Sequence, residues 1–459
     1  MTDDQPASAL DRKTIFLRAL AAIRSLMELI SQDATLLALS VLTWNRNWPI
    51  DWPGLDKSTV PFSYMLPSVR VAELAVSLAI AAYLVSGWPN LARLKRGAPK
   101  FFILSLVGLW LLTILSVSWS VNGALAIAQA GHLAIWILFA AMIACADWPL
   151  SRLGAFFLGG LLLQSAVGLI QFVTQHFVGL PEQFGELPVK PEYTWVSVVF
   201  DGPRRLMRAY GLSGHPNLLG GPTAISVLLG TGLAVIWPRL WRALAVLAWM
   251  FIWTLLLITF SRSAWIATVV GGAVSIVLLG RARLLDQRAI RPLITLAAIG
   301  LILTLVFALV FQPFLIGRID PATQPLETYS MVQRESTVEI ARQLIAAQPL
   351  TGVGAANFVL AASAWFGYPV DWVHNVLWLI TSELGLPGLT LFLLMIGVLM
   401  AVGVRRWQLR SITLWQALIG GSLVGLLPIL LFDHYLWTDP PGVLLFAFLA
   451  GLWLRPAEP

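Results

Sequence analysis

"WRALAVLAWMFIWTLLLITFSRSAWIATVVGGAVSIVLLG", residues 241–280, decides the fold; Arg242 and Arg262 are its charged residues. As one helix it would run about 60 Å at ~1.5 Å per residue, twice the thickness of a bilayer's hydrocarbon core. The chain must therefore turn back near Ser261 and Arg262. That gives two membrane spans, 241–260 and 262–280, with an arginine at the turn.

The rest of the sequence has the same character. Of 459 residues, 58% are hydrophobic and 12% charged, with a mean hydropathy of +0.80. Soluble domains carry about 25% charged residues. A water-soluble core cannot bury this much apolar matter, so a bilayer must cover it. The 21 tryptophans fit that setting, since indole favours the membrane interface. Cys145 is the single cysteine, which excludes an intramolecular disulfide. The start, "MTDDQPASALDRKTIFLRAL", lacks the basic region and cleavage pattern of a signal peptide.

Twelve apolar segments are long enough to count as spans: 22–44, 69–88, 101–118, 124–146, 152–174, 216–237, 241–260, 262–280, 292–316, 375–403, 412–433 and 440–455. The expectation is an all-α polytopic membrane protein of about 12 transmembrane helices, with a long outer loop between helices 9 and 10. Residues 1–21 are read as a cytoplasmic N-terminal segment and 22–455 as one transmembrane domain. Two outer loops, 175–215 and 317–373, are long enough to fold over the membrane. Ile340, Leu344 and Ile345 give the second loop an apolar stripe, predicting a helix over 330–347 that "PLTGVG" ends.

Charge sets the orientation. The loops after spans two, four, six, eight and ten hold fourteen basic residues, Arg93 to Arg410, against Asp147 and Asp286. The alternate loops are longer yet hold most of the acids, including Asp51, Asp56, Asp320 and Asp433. Basic loops stay cytoplasmic, so both termini are inside and the two long loops outside. The net charge of +7 then reflects topology and contact with anionic membrane lipids. No nucleic-acid partner is expected.

On the outer face the basic residues sit at motif positions. Arg208 precedes "GLSGHPN", Arg262 lies in "TFSRSAW", Arg334 opens the loop helix, and His374 opens "HNVLWLITSELGLPGL". Arginine at a membrane boundary pairs, snorkels to headgroups or binds an anion. Its planar fork suits phosphate oxygens, so three arginines meeting in one outer cavity would suit a diphosphate. Other readings stand beside this one. Arg262 can be a headgroup anchor, Arg334 can pair with Glu335 or Glu339, and Arg208 can join Arg204 and Arg205 in a surface cluster. His374, like His215 and His434, can be an interfacial histidine. There is no Walker lysine loop, dinucleotide fingerprint, zinc-type His/Cys spacing or Gly-x-Ser-x-Gly elbow. The outer loops offer no clustered acids for a divalent ion, so neither a metal nor a cofactor is expected. The outer compartment has no nucleotide pool, and a pre-activated donor carried on lipid fits it.

"RAYGLSGHPNLLG", "TFSRSAW", "REST…QPLTGVGAANF" and "HNVLWLITSELGLPGL" follow one another as in the O-antigen ligase and polymerase superfamily, and the region 206–390 resembles it. Two positions depart from the family's usual pattern: Gln333 stands before the loop arginine and Val338 four residues after it. The resemblance implies a membrane glycosyltransferase that moves a glycan from undecaprenyl diphosphate to an acceptor on the outer, periplasmic face of the bacterial inner membrane. It carries catalytic roles onto Arg262, Arg334 and His374, and substrate-binding roles onto Arg208, Asn217 and Asn375. The implied partners are the lipid-linked donor, a lipid A-core or growing-glycan acceptor, and membrane lipids. In this chemistry the arginines neutralise the diphosphate where other sites use metal ions, His374 takes the acceptor proton, and one displacement inverts the anomeric centre. Counting nine residues from His374 along one helix puts Glu383 on the opposite side, which leaves it outside the chemistry. A repeat-unit polymerase differs only in its acceptor. A small-solute transporter of the bicarbonate type would instead need ionisable residues at the bilayer midplane and repeated broken helices.

Overall fold

The computed structural model describes residues 8–50, 67–87, 99–319 and 325–456. Parts of the 1–21 segment, with Arg93, Lys95, Arg96, Asp51, Asp56 and Asp320, lie outside the described residues. The described helices are α1 (Ser8–Ser40), α2 (Val71–Val85), α3 (Lys100–Leu115), α4 (Gly123–Cys145), α5 (Leu150–Thr174), α6 (Pro216–Ile236), α7 (Arg239–Ile258) and α8 (Arg262–Arg281). They continue as α9 (Gln287–Val310), α10 (Gln312–Ile319), α11 (Pro325–Ala347), α12 (Phe358–Phe366), α13 (Val376–Leu409), α14 (Leu414–Phe432), α15 (Tyr435–Thr438) and α16 (Pro440–Leu454). Two short antiparallel hairpins accompany them: β1 (Asn47–Pro49) with β2 (Ser68–Arg70), and β3 (Val198–Asp201) with β4 (Arg204–Met207).

Among the described residues, nine helices are long and apolar enough to cross a membrane; α2 and α16 are apolar but shorter. With α1 they fall where the twelve apolar segments fall, and the protein is an all-α polytopic membrane protein. The run 241–280 does break at its arginine. Phe260 takes a left-handed φ of 48°, Ser261 is the extended N-cap, and Arg262 is the first residue of α8. α8 packs on α14 through small side chains, and a Cβ on Gly425 would lie 2.6 Å from the Ala267 carbonyl oxygen. Such close approach is how helices associate where lipid removes the hydrophobic drive.

The loop helix is longer than its apolar stripe suggests. α11 begins at Pro325, a residue suited to a helix's first turn because no N–H is needed there. Arg334 therefore lies well inside the helix and does not open it. Ile340 and Leu344 are buried, as the stripe requires.

Two of the motifs turn out to be one device. α13 has 34 residues, but its helix is interrupted at Gly385, with φ 66° and ψ −173°. Pro387 has no N–H for the Glu383 carbonyl four residues earlier. The loop after α11 supplies what is missing. Val353 N–H donates to Ser382 O (2.9 Å), Gly354 N–H donates to Glu383 O (2.9 Å), and Leu386 N–H turns to Pro349 O (2.8 Å). "PLTGVG" thus caps the break in "ELGLPG", which satisfies non-helical backbone at membrane depth. Asn357 ties the same loop to the start of α4, accepting from Asn122 N–H (2.7 Å) and donating to Asn122 O (3.1 Å).

Gly385 occupies a backbone region that is essentially glycine's alone, and a Cβ there would run into the Leu350 carbonyl. Gly385→Ala is expected to destabilise the fold by at least about 1–3 kcal/mol from backbone strain alone. The monodisperse yield after detergent extraction should drop sharply. A wild-type yield and melting curve would show that the break carries no structural weight.

Candidate active site

One cavity of about 1010 Å³ gathers residues from the β1–β2 hairpin, α4, the segment before β3, the start of α6, the 371–374 segment and the stretch from Asp433 to Pro440. All these segments belong to the set of loops and helix ends expected on the outer face. His374, Asp433 and His434 meet in this cavity, with a ligand atom of each within 4.8 Å of the others. His374 lies just before α13, whose N-cap is Asn375. Its ring is edge-on to His434, with centroids 5.2 Å apart, and His434 stacks on Trp372 at 5.8 Å. His434 Nδ1 is hydrogen-bonded to Thr438 Oγ1 (2.7 Å). The Nδ1 atom of His374 is buried and has no protein partner among the described residues.

The carboxylate is held in a defined chain. Arg208 is buried; its Nε donates to Thr259 O (2.6 Å) and its Nη2 to Asn217 Oδ1 (2.6 Å). The Asn217 amide nitrogen then donates to Asp433 Oδ2 (2.9 Å). Arg208 therefore separates from its neighbours: Arg204 pairs with Asp201 at the surface, and Arg205 donates to Tyr193 O. Arg208 and Asn217 reach the site by fixing Asp433. His215 caps α6, its Nδ1 accepting from Asn217 N–H (3.1 Å) and its Nε2 bonded to Ser197 Oγ (2.7 Å).

Burial favours the neutral ring of all three histidines. It lowers His374 below the usual imidazole value; Asp433 opposes this and Arg334 reinforces it. It takes His434 to about 4 and His215 to about 3. Burial pushes Asp433 up, but His434, His374, His215 and Arg334 outweigh it and hold the carboxyl below its ordinary value. The result is a neutral imidazole at His374 beside an ionised carboxylate, with the Arg334 charge acting on both.

Of the residues expected from sequence, the structure brings Arg208, Asn217, Arg334 and His374 into one electrostatic group. Arg262 sits at the head of α8, where its Nη1 donates to the Arg318 carbonyl (3.0 Å). Asn375 is engaged as a cap. Its Oδ1 accepts from Leu377 and Trp378 N–H, and its Nδ2 donates to Leu431 O (3.1 Å). Glu383 corrects the helical count made from His374. His374 precedes the helix, so that count does not apply, and Glu383 lines the same cavity. It is fully buried and accepts from Trp437 Nε1 (2.9 Å). Asp433 and His434 were missed as partners of His374 because about sixty residues separate them in sequence. A carboxylate ending an apolar span, in "LLFDHY", was the available signal. The three donors His374, Asp433 and His434 are also the described residues able to take a divalent cation.

The site thus combines a buried imidazole and an ionised carboxylate in one large cavity with the charge of Arg334 acting on both. Residues 243–393 match the family described as O-Antigen ligase, the family that the motifs of 206–390 resemble. Arg262, Arg334 and His374 lie inside the match; Arg208 and Asn217 lie before it. No curated protein matches the chain. The family implies lipid-linked glycan and lipid acceptor substrates in general.

Proposed function

We propose that this protein transfers a glycan from undecaprenyl diphosphate to an acceptor hydroxyl, such as that of a lipid A-core, on the outer face of the inner membrane. The observation that carries this reading is His374 beside Asp433 in one cavity, a neutral imidazole next to an ionised carboxylate, with the Arg334 charge acting on both. The acceptor O–H gives its proton to a His374 ring nitrogen while its oxygen bonds to the anomeric carbon. The bond from that carbon to the diphosphate oxygen breaks, so the centre inverts. Asp433 stabilises the imidazolium that forms, as a carboxylate beside a catalytic histidine does. Arg334 and Arg262 take up the charge leaving with the diphosphate, a task that needs donors aimed where charge develops. Arg208 and Asn217 hold Asp433 in place, and Asn375 fixes the turn that carries His374. The polymerase reading keeps every role and exchanges the acceptor for a growing glycan.

The test is transfer by purified protein in proteoliposomes with a lipid-linked donor, acceptor and excess chelator. Activity is expected to persist without divalent ions. Loss of transfer on chelation, restored by a divalent ion, would make His374, Asp433 and His434 metal ligands and end the general-base account. Both termini are assigned to the cytoplasm. Single-cysteine labelling of the 350–373 segment, in a Cys145→Ala background, should therefore succeed from outside. Labelling from the cytoplasmic side alone would invert the site.

A further inference from the structure

The cavity extends well beyond His374. Its volume lies at the top of the ~300–1,000 Å³ range of small-molecule sites, more than the reacting groups require. Besides His374, its lining includes Arg70, His132, Glu383, Trp437 and Asp439. Arg208, Arg262 and Arg334 are not among the described residues that line it.

Two polar atoms here are buried without a protein partner among the described residues, Arg70 Nε and Asp439 Oδ1; Glu383 beside them is held by Trp437 Nε1 and the Ala356 and Phe358 backbone N–H groups. Their other atoms are fixed. Arg70 Nη2 pairs with Asp439 Oδ2 (3.1 Å), Arg70 Nη1 donates to Asn45 Oδ1 (3.2 Å), and Glu383 Oε2 accepts from Trp437 Nε1 (2.9 Å). Behind them His132 Nδ1 bonds the fully buried Glu73 (2.6 Å). Buried polar atoms cost free energy unless they are hydrogen-bonded. One donor and one acceptor match a sugar hydroxyl, since a hydroxyl both gives and accepts. Arg70 is already paired with Asp439, so the pair offers no net charge to a phosphate or to a bare cation. Glu383 and Trp437, both buried, form the wall beside this pair.

We infer that Arg70, Asp439 and Glu383, with Trp437, form a subsite for the neutral sugar ring that carries the accepting hydroxyl. This rests on the glycan-transfer reading and adds to it where the acceptor's terminal sugar sits. The subsite holds that ring so that its free hydroxyl faces His374. It discriminates against sugars phosphorylated or carboxylated at that ring. Arg70 and Asp439 lie outside the segment matched to the family, and Glu383 lies inside it.

Two measurements test this. The first is binding to purified protein, read by tryptophan fluorescence. The probes are the dephosphorylated, delipidated core oligosaccharide and, separately, the oligosaccharide released from the donor. Asp439→Asn and Glu383→Gln should weaken core-oligosaccharide binding by about 5–30-fold each, the size of one or two lost hydrogen bonds, and leave the donor oligosaccharide unaffected. Glu383→Gln retains an oxygen for Trp437 and serves as the variant least able to perturb folding. The second is steady-state transfer, in which the acceptor KM should rise by a similar factor while the donor KM holds. No wild-type binding of the core oligosaccharide, wild-type affinity in both variants, or loss confined to the donor oligosaccharide would overturn the subsite. If wild-type transfer proceeds and depends on His374 while both variants match wild type, the subsite alone is wrong. If His374→Ala transfers normally, the reaction itself has been misread.

Discussion

His374→Ala lowers the rate of glycan transfer by about 10²–10⁴-fold, the contribution of a placed general base, while the lipid-linked donor still binds. The pH profile identifies the residue behind the loss. The base works as the neutral imidazole, so activity falls as pH drops through its folded pKa. Burial and Arg334 lower that pKa from its usual 6.5. The wild-type acid limb should therefore lie below 6.5, with the rate level through neutrality. His434 at about 4 and His215 at about 3 are already neutral there and contribute no limb near 6. His215→Ala and His434→Ala should be milder, since one caps α6 and the other packs beside the reacting ring. The measurement is kcat/KM against pH in proteoliposomes, with His374→Gln as a second variant that keeps a polar side chain. Near-normal transfer by both variants, or an acid limb that persists in them, would remove His374 from the chemistry.

The membrane architecture was legible in the sequence because bilayer thickness converts directly into residue count. The break at Ser261–Arg262 followed from length alone. Other features depended on contacts that no single segment encodes. "PLTGVG" and "ELGLPG" read as two motifs, yet their glycines and Pro387 serve one exchange of backbone hydrogen bonds. Asp433 and His434 join His374 only through the packing of the α13 and α14 ends. Glu383 was set aside by a helical count that began one residue before the helix's own cap. Asn375 and His215 drew attention as polar residues at span mouths, and their side chains prove to satisfy helix N-termini. Polar residues at such mouths serve either the backbone or the substrate, and only the donors and acceptors left over distinguish the two. His374 Nδ1 is such a leftover, as are the atoms on the Arg70–Asp439 side of the cavity.

Arg334→Ala and Arg262→Ala each reduce transfer by roughly 30–1000-fold, about 2–4 kcal/mol of barrier, as expected when one charge-assisted contact to a developing oxyanion is lost. The two arginines should differ in a second readout. Arg334 also acts electrostatically on His374 and Asp433. Removing its positive charge lets the His374 pKa rise, so the residual activity of Arg334→Ala should show an acid limb moved to higher pH. Arg262 donates to the Arg318 carbonyl at the head of α8, and its loss should leave the position of the limb alone. Lysine at either position restores charge but not the planar, forked donor geometry, and should recover only part of the rate. The comparison is run at matched membrane levels, with donor binding measured separately. Full activity in Arg334→Ala and Arg262→Ala would reduce both to headgroup anchors. Full rescue by lysine would mean that charge alone matters and that the fork is not used on the diphosphate.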